Sequence, residues 1–480
     1  MDWRTLTSLT AREMLTSLKA RETSSRELVD AHIAAILARD ETVNAVCTRA
    51  FERARQEADS ADQAPDTAGA LHGLPVLIKD NQMTAGIRTT LGSPTRRDFV
   101  PDTDAGIVAR IRAAGGIVLG KTNIPEYSIG ANTVNPLFGA TGNPFAPDLT
   151  CGGSSGGSAV AVASEMAPLA TGSDHGGSLR IPASYCGVVG FRATPGVVPN
   201  EERAITQTNY SVQGPIARNV ADAALLLSVI AERSARTRRD PMAFPLDASS
   251  FTRLDDINLG ELRVATSEDL GGVLVSDGNR ALFRAKIADF ADTFHTCEPS
   301  NLNLTDAPDV DWHLRQDVFV TQYIGQADSW PEDFNPNVRA TYDSAVKTPM
   351  QDIAAARKLQ KVLYERINSV FDNFDLLILP GVSVPPFPHS QLYPTSIDGM
   401  PVENYMRWLA LTSALTVVGH PVVSLPCGVD EQGTPFGIQV VGPAFADLEL
   451  LRAAKALERI FSARELTRRP VPNMSALETR

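Results

Sequence analysis

Two clusters of serine and glycine, at residues 152–158 and 172–178, contain the residue types in this sequence that could do chemistry. Upstream of both clusters, a lysine, Lys79, ends the apolar run 74–79. Glycine lets backbone amides approach a bound oxyanion closely and adopt dihedral angles that a side chain would forbid. The serines could supply a nucleophile and a proton relay, and the lysine could supply the base. The pattern indicates a serine hydrolase whose base is lysine.

Lys79 can act as a base only when its amine is neutral. A lysine amine has an ordinary pKa of ~10.4, so burial or neighbouring donors must lower the pKa before the amine works near neutral pH. Lys79 follows Leu77 and Ile78 directly, as expected for a group at the end of a core strand. The local sequence alone leaves open a lysine that extends from the strand end into solvent.

The serines admit more than one assignment. Ser154 and Ser178 could divide the roles of relay and nucleophile, although glycine and serine also fill ordinary turns. The segment 153–157 fits the G-x-S-x-G nucleophile elbow centred on Ser155, which would need a histidine downstream. Three histidines are available for that alternative: His295, His389 and His420.

Two other loop chemistries are excluded by the residues around the glycines. No Gly-Lys-Ser or Gly-Lys-Thr comes after the first cluster, so a phosphate loop is excluded, and neither cluster gives G-x-G-x-x-G after a clear strand. The seven histidines and five cysteines show no metal-ligand spacing. We therefore expect no metal and no cofactor.

The composition is that of an ordinary globular protein. The chain has 480 residues, of which 43% are hydrophobic and 21% are charged. Its net charge of −12 disfavours a nucleic-acid partner, because such proteins usually present a basic surface. No stretch approaches the ~18 apolar residues of a membrane span, and the N-terminal residues lack the apolar region of a secretory signal. We expect no membrane association and a cytoplasmic location.

Hydrophobic periodicity predicts alternating strands and helices, which is typical of an α/β protein. Ser24 and Glu27 have the spacing of a capping box, and Asn219 precedes another helix as a cap. Predicted strands cover 74–78, 117–119, 262–265 and 376–379; predicted helices cover 105–114, 157–163, 220–231, 352–371 and 447–461. The polar stretch 57–70 predicts a surface connection. Residues 234–256 and 380–388 predict long loops.

Taken together, the motifs resemble the amidase signature family over roughly residues 5–465. The matching segments are 73–81, 120–126, 142–144, 152–190, 419–421, 426–428 and 435–439. The resemblance implies an α/β fold with a central mixed, twisted sheet covered on both faces by helices. It further implies a single domain over 1–480, with a signature core at about 70–200, N-terminal helices at 1–60 and the rest of the sheet at 260–465.

The resemblance also implies the parts of a Ser-cisSer-Lys site. Lys79 falls on the base, Ser154 on the relay serine beside a cis peptide, and Ser178 on the nucleophile. The backbone N–H groups of four consecutive residues fall on the oxyanion hole: His175, Gly176, Gly177 and Ser178. Three further residues fall in the layer around these groups: Ser155, Asp174 and Arg180. Within that layer, we expect Asp174 to bond backbone or Arg180.

The implied reaction converts an amide and water into a carboxylate and an amine or ammonia, through an acyl-enzyme on Ser178. Aromatic residues in the loops predicted above the site favour apolar or aryl amides (an aryl acylamidase activity), and carbamates (a urethanase activity) or esters are open to the same attack. These residues, with one polar neighbour, are Tyr127, Tyr210, Phe319, Tyr323, Phe387, Trp408 and Asn209. The partner expected is thus a small-molecule amide or carbamate, and a homodimer is the assembly considered.

Two residues depart from common members of the family. His175 stands where a smaller or uncharged residue is usual, so it could contact substrate or serve the structure. Ile181 stands where the glutamine-specific subunit of tRNA-dependent amidotransferases typically has glutamine. That subunit remains an alternative function, beside the histidine-dependent esterase that would use Ser155.

Overall fold

The computed structural model describes residues 2–64, 69–331 and 334–479. Within these ranges the chain forms seventeen strands. They are β1 (Val46–Arg49), β2 (Pro75–Lys79), β3 (Ile117–Thr122), β4 (Val134–Asn135), β5 (Gly139–Ala140), β6 (Gly142–Asn143), β7 (Ala146–Thr150), β8 (Leu169–Asp174), β9 (Val189–Arg192), β10 (Val212–Ala217), β11 (Arg263–Thr266), β12 (Thr296–Pro299), β13 (Leu376–Pro380), β14 (Ser396–Ile397), β15 (Met400–Pro401), β16 (Val422–Val429) and β17 (Pro435–Val441).

Fifteen α-helices lie in the same described ranges. They are α1 (Trp3–Ser8), α2 (Ala11–Lys19), α3 (Ser25–Val43), α4 (Phe51–Gln63), α5 (Gly106–Ala113), α6 (Gly156–Ala163), α7 (Arg180–Cys186), α8 (Val220–Ile230), α9 (Asp277–Phe290), α10 (Ala307–Tyr323), α11 (Pro336–Ala345), α12 (Met350–Phe371), α13 (Ala410–Val418), α14 (Asp447–Ser462) and α15 (Met474–Leu477). Within the parts of the chain described here, none of these helices combines the length and apolar character that crossing a membrane requires.

Eleven strands join one mixed sheet in the order β1-β3-β2-β8-β10-β9-β16-β17-β13-β11-β12. β3, β2 and β8 run parallel to one another, as do β13, β11 and β12. The strands between these two groups pair antiparallel. One sheet thus combines strands from the region of the serine-containing loops with strands from the C-terminal part of the chain. The division of the chain into a signature core, N-terminal helices and a C-terminal part stays a prediction.

Alternate residues of the central strands enter separate apolar cores, because successive side chains of a strand point to opposite faces. In β2, Val76 and Ile78 lie in a core with α5, α8 and α14, whereas Leu77 lies in a core with α4 and α6. In β13, Leu376 contributes to the first of these cores and Leu377 to a third core, with α10, α12 and α13. Helices therefore cover both faces of the sheet, as predicted.

The helix starts agree with the capping signals of the sequence. Ser24 and Glu27 form the expected capping box, and the Asn219 side chain accepts a hydrogen bond from the Asp222 backbone N–H. The predicted surface connection at 57–70 is wrong in its first part, since α4 continues to Gln63 and buries Ala54 and Ala58. Residues 65–68 of that stretch lie outside the described residues.

Three neighbouring parallel strands position the chemistry. β2 ends at Lys79, β8 ends at Asp174, and β3 ends at Thr122. The carboxyl ends of parallel strands lie at the same edge of a sheet, where loops gather functional residues. The lysine and the loop that carries Ser178 therefore meet at one edge.

Candidate active site

Lys79 is completely buried at the end of β2. Its Nζ lies 2.7 Å from Ser154 Oγ and 2.9 Å from Ser173 Oγ. Its backbone N–H donates to Thr171 Oγ1 at 3.0 Å, which joins the end of β2 to β8. The side chain is thus inside the protein and does not extend into solvent.

Burial lowers the pKa of Lys79 to about 7, because an ammonium loses its hydration there. The carboxylate of Asp174 opposes the change without cancelling it. An amine with such a pKa is neutral in a large fraction of molecules near neutral pH. Lys79 is therefore available as a base under ordinary conditions.

Ser154 lies in the turn between β7 and α6, and the peptide bond between Gly153 and Ser154 is cis. Thr133 Oγ1 donates to Gly152 O at 2.7 Å and holds this turn. The turn leads into α6, every residue of which is buried. A Cβ at Gly156 would come within 2.7 Å of Cys151 Sγ, so the close packing beneath the turn requires glycine.

Ser155 is fully buried and joins the two serine-containing loops. Its Oγ lies 3.3 Å from both the backbone N and the backbone O of Ser173. The histidines considered for an esterase site lie elsewhere. His420 stacks on Phe371 and bonds the Val418 carbonyl, while His295 is exposed before β12 and His389 lies in the loop after β13. The esterase alternative thus has no support in the geometry.

Ser178 lies on the loop between β8 and α7 and is partly exposed to a cavity that Ser154 also lines. Its backbone carbonyl accepts a hydrogen bond from Ser155 N at 3.2 Å. Within residues 2–64, 69–331 and 334–479, its hydroxyl makes no hydrogen bond. The Lys79–Ser154 hydrogen bond is therefore formed in this structure, and the Ser154–Ser178 hydrogen bond is not.

The carbonyls of the β8–α7 loop fix the direction of its N–H groups. In a trans peptide, the carbonyl of one residue and the N–H of the next point to opposite sides. An Arg315 Nη lies 3.4 Å from His175 O, which directs the Gly176 N–H. Ile181 N donates to Gly177 O at 2.7 Å, which directs the next N–H in the same way. Both N–H groups are thus held in place by contacts outside the loop tip.

Among the four backbone N–H groups expected at an oxyanion hole, that of Gly177 donates to a carboxylate of the protein. Gly177 N donates to Asp174 Oδ1 at 2.8 Å, because the short β8–α7 loop wraps around that carboxylate. Thr412 Oγ1 donates to Gly176 O at 2.7 Å and so fixes the other side of the same peptide. Three N–H groups of the loop donate to no protein acceptor among the described residues: those of His175, Gly176 and Ser178. The Gly177 N–H is therefore already engaged, unlike the other three.

Asp174 is fully buried between two arginines. Arg180 forms the expected pair with it, bidentate at 3.0 Å to each oxygen, and Arg192 Nη1 lies 3.2 Å from Oδ1. Burial alone would raise the pKa of Asp174, but the two guanidinium groups outweigh it and hold the pKa well below its usual range. The carboxylate thus stays charged and holds the Ser178 loop through the N–H groups of Gly177 and Leu179.

The cavity above Ser178 has a volume of about 170 Å³. Its lining mixes polar and apolar groups: Asn81, Tyr127, Ser128, Ile129, Gly130, Ala131, Ser154, Ser173, His175, Gly176, Ser178, Ile181, Ser211, Arg315, Gln322, Tyr405, Met406 and Leu409. Arg315 is paired with Asp311 at 3.1 Å, and both are buried. The guanidinium in the cavity wall therefore has its own counter-ion.

The predicted substrate-facing aromatics divide into three groups. Tyr127 lines the cavity. Phe319 and Tyr323 lie behind it, with the Tyr127 and Tyr323 rings 6.3 Å apart. The others lie outside the lining: Phe387 packs against Trp408, the Tyr210 ring lies tilted against His175, and Asn209 bonds the carbonyls of residues 416 and 417.

His175 has its imidazole against the Tyr210 ring, with the centroids 5.1 Å apart. Burial lowers the pKa of His175 well below its ordinary value, and Arg315 and Arg192 act in the same direction. Its side chain is therefore neutral at neutral pH. A neutral imidazole in the cavity wall can donate or accept a hydrogen bond but adds no charge.

Several site residues were not singled out from the sequence. Ser173 was noted only as part of its glycine-serine cluster, yet it bonds both Lys79 Nζ and, at 3.1 Å, Asn81 Nδ2. Thr171 and Ser173 are two residues apart in β8, so their side chains lie on the same face of the strand. Both bond Lys79, and this spacing in the sequence could have indicated that contact. Arg315 and Thr412 come from helices far along the chain, and nothing local in the sequence marks them.

The chain matches proteins of known family over nearly its whole length. The Amidase family model matches residues 27–451. The A subunit of the glutamyl-tRNA(Gln) amidotransferase of Agathobacter rectalis is 32% identical, and the match covers 96% of this chain and 95% of that one. An acylamidase of Rhodococcus erythropolis is 30% identical, over 94% and 95% of the two chains. The crystal structure of a bacterial aryl acylamidase of the amidase signature family superposes with a TM-score of 0.85 at 28% identity, over 94% and 96%. These matches show that the chain belongs to the amidase family and is a hydrolase of amide C–N bonds.

Proposed function

We propose that this protein hydrolyses small, uncharged amides through an acyl-enzyme on Ser178, with Lys79 as base and Ser154 as proton relay. The observation that carries the proposal is the 2.7 Å contact between Lys79 Nζ and Ser154 Oγ at the base of the Ser178 cavity. The lowered pKa of Lys79 supports it, because a neutral amine can accept a proton from the hydroxyl.

The reaction begins when Ser178 Oγ attacks the amide carbonyl. Its proton passes to Ser154 as the Ser154 proton passes to neutral Lys79, and the new C–O bond forms a tetrahedral oxyanion. When the C–N bond breaks, Ser154 returns a proton to the departing nitrogen and regains one from Lys79. Water then attacks the acyl-enzyme by the same relay and releases the carboxylate. This path requires a rotation that brings the hydroxyls of Ser154 and Ser178 into contact.

The oxyanion is assigned to the backbone N–H groups of Gly176 and Ser178, with His175 as the third donor. Gly177 is left out, because its N–H is engaged by a carboxylate. The carbonyls that precede Gly176 and Ser178 are held by Arg315 and by a backbone N–H, so these donors are oriented before substrate binds. A preoriented donor of this kind is worth roughly 3–4 kcal/mol in the transition state.

The cavity favours a small neutral acyl group with apolar or aromatic character. Its volume is about 170 Å³. Drug-sized ligands occupy sites of roughly 300 Å³ or more. Tyr127, Tyr405 and Leu409 provide apolar surface, and the Asp311 carboxylate neutralises Arg315. Carbamates and esters present the same carbonyl to Ser178, so they belong to the proposed substrate class.

A second candidate is the glutamine-hydrolysing subunit of a tRNA-dependent amidotransferase. The 32% identity to the Agathobacter rectalis relative favours it. Ile181, which lines the cavity where that subunit typically has glutamine, disfavours it, and so does the neutral cavity. Purification of the tagged chain at native expression level separates the two. A chain that hydrolyses amides alone supports the first candidate, and one that acts only with co-purified partner chains supports the second.

The proposed site is tested by labelling with a fluorophosphonate and by turnover of a p-nitroanilide. Ser178→Ala should abolish both, and mass spectrometry should locate the label on Ser178 in the unchanged protein. The double variant Ser155→Ala/His420→Ala is the matched control and should keep labelling and measurable turnover. A label on Ser155, or turnover that survives in Ser178→Ala, would overturn the assignment.

The substrate class is tested with graded neutral amides, carbamates and esters, from acetyl to benzoyl, beside glutamine. We expect kcat/KM to be highest for compact neutral acyl groups and to fall for charged ones. A preference for glutamine over every neutral amide would replace the first candidate with the second.

A further inference from the structure

A second cavity lies at the sheet edge opposite Ser178. β8 ends at Asp174, at the edge of the sheet that carries the active site. Asp174 pairs with Val212 at the start of β10. β10 then runs to Ala217, which pairs with Leu169, so the next residue, Arg218, lies at the far edge. Five residue steps along β8 correspond to about 16 Å. The cavity beside Arg218 is thus separate from the active site.

This distal cavity has a volume of about 410 Å³. Its walls come from α1, α6, α14, β16 and the segments near α15: Ser8, Thr10, Ala163, Glu165, Arg218, Asn219, Leu425, Pro426, Glu458, Phe461, Ser462, Arg468, Arg469, Val471 and Met474. One part of the lining is apolar, and another part carries three guanidinium groups together with the side chains of Glu165 and Glu458. Such a surface suits a ligand with one charged end and one apolar end.

Two arginines of the distal cavity have unused donors. Arg218 is only 7% exposed; it donates to Leu9 O through Nη2, but its Nη1 is buried without a hydrogen-bond partner. Arg469 donates through Nε to Gly187 O at 2.9 Å, but its Nη2 is likewise buried and unpartnered. Within the described residues, neither guanidinium forms an ion pair with a carboxylate. Burying a charge without a partner is unfavourable, so an anion bound beside these groups would stabilise them.

The acidic side chains nearby are already used. Glu458 accepts from the N–H of Val220, at 3.0 Å, and burial raises the pKa of Glu458 to about 7, so its compensating charge is incomplete near neutral pH. Glu165 lies 3.4 Å from Arg39. Asp222 accepts from the backbone N–H groups at the start of α2. Arg218 is attracted from a distance by Glu165, Asp222 and Glu13, and Arg469 by Glu458 and Glu165. Among the described residues, none of these carboxylates forms an ion pair with either guanidinium.

We propose that the distal cavity binds an organic monocarboxylate. The carboxylate would lie between Arg218 and Arg469, so that each guanidinium donates to one of its two oxygens in charge-assisted hydrogen bonds. The apolar end would lie against Phe461, Val471 and Met474. The apolar wall distinguishes this ligand from an inorganic anion, which would leave that surface without a contact.

The experiment measures binding by calorimetry on full-length Ser178→Ala protein, with hexanoate, 1-hexanol and inorganic phosphate as probes. We expect hexanoate to bind and the other two to bind at least tenfold more weakly. Adding Arg218→Met or Arg469→Gln should weaken hexanoate binding at least tenfold. Arg459→Gln is the matched control, because it removes an exposed charge of α14 that does not line the cavity, and it should change binding less than twofold.

The outcomes separate the distal cavity from the active site. No binding of hexanoate, equal binding in the arginine variants, or equal affinity for phosphate would overturn the proposal. Should Arg218→Met fail to fold, Arg469→Gln still decides, because Arg469 lies nearer the surface. A crystal of the Ser178→Ala protein with 6-bromohexanoate locates the bromine by anomalous scattering; a peak only above residue 178 would also reject the distal site.

Discussion

Replacing Lys79 with methionine should remove activity and raise stability at the same time. Methionine fills the lysine's space with an apolar chain but has no amine. The Lys79 amine is the proposed base, so Lys79→Met should lose essentially all turnover of a p-nitroanilide. The same change removes a buried group that is charged in the unfolded chain at neutral pH.

The expected gain in unfolding free energy follows from the lowered pKa of Lys79. Burial lowers that pKa from 10.5 to about 7. Each pKa unit corresponds to about 1.4 kcal/mol, which gives about 5 kcal/mol of unfavourable burial. The variant also loses the hydrogen bonds from Nζ to Ser154 and Ser173. Each of these is worth about 1 kcal/mol, and a buried hydroxyl is left with one partner fewer. We expect Lys79→Met to be more stable than the unchanged protein by about 1–3 kcal/mol at neutral pH.

The difference in stability should depend on pH in a known direction. Between pH 7 and 10.5 the unfolded chain holds a proton on Lys79 that the folded protein has lost, so the stability of the unchanged protein rises with pH there. The advantage of Lys79→Met must therefore shrink across that window and stay constant below it. Other buried groups titrate in both proteins and cancel in the difference.

The assay is urea unfolding of both proteins at pH 6 to 10, beside single-turnover hydrolysis by the unchanged protein. The single-turnover rate should rise about tenfold per pH unit below pH 7 and level off above about pH 8, as neutral Lys79 accumulates. Lys286→Met is the matched control, because Lys286 is also buried but bonds carbonyls of residues 429 and 466 far from Ser178; it should keep turnover. A flat rate profile, clear turnover in Lys79→Met, or a stability difference that does not change with pH would contradict the role of Lys79 as a buried base.

Three further changes test the loop that carries Ser178. Gly177→Ala should lower kcat by at least 100-fold and destabilise the protein, because φ is +128° and the new Cβ would lie 2.7 Å from Thr412 Cβ. Gly433, at φ +80° with open space around it, is the matched control; Gly433→Ala should cost about 1 kcal/mol in urea unfolding and no activity. Thr412→Val removes the hydrogen bond that holds the Gly176 carbonyl, so it should lower kcat about tenfold with KM unchanged, and an unchanged kcat would contradict that role. Asp174→Asn leaves two buried guanidinium groups without a charge partner, which should cost about 3–5 kcal/mol in unfolding free energy. The Asp174 contribution is present above the unfolded pKa of about 3.9 and is lost only as pH falls through the lower folded pKa, so the deficit should be constant from pH 5 to 8.

Much of the fold could be predicted because local and global signals agree. Apolar runs such as 74–78 and 376–379 became central strands, and the caps at Ser24 and Asn219 began the expected helices. The stretch 57–70 was misassigned because its polar composition suits both a loop and an exposed helix, and only the contacts of Ala54 and Ala58 decide between them. Composition cannot show such tertiary contacts.

The candidate site, like the fold, could be predicted from the sequence only in part. Lys79, Ser154 and Ser178 lie in motifs that can be recognised in the sequence. Ser154 and Ser178 line one cavity, and Lys79 Nζ lies 2.7 Å from Ser154 Oγ. The engagement of Gly177 by Asp174 could not be predicted, since it depends on how the loop wraps a carboxylate already held by two arginines. Other side chains reach the site only through the packing of α10 and α13.

The groups assigned to the reaction all come from one stretch of the chain, residues 79–178. Part of the wall over Ser178 comes instead from α10 and from the segment before α13, much later in the sequence. The groups proposed for the reaction and part of the cavity wall therefore come from different regions of the chain. Substitutions in the part of the wall that comes from the later region should therefore change which acyl group fits while the proposed proton path stays intact.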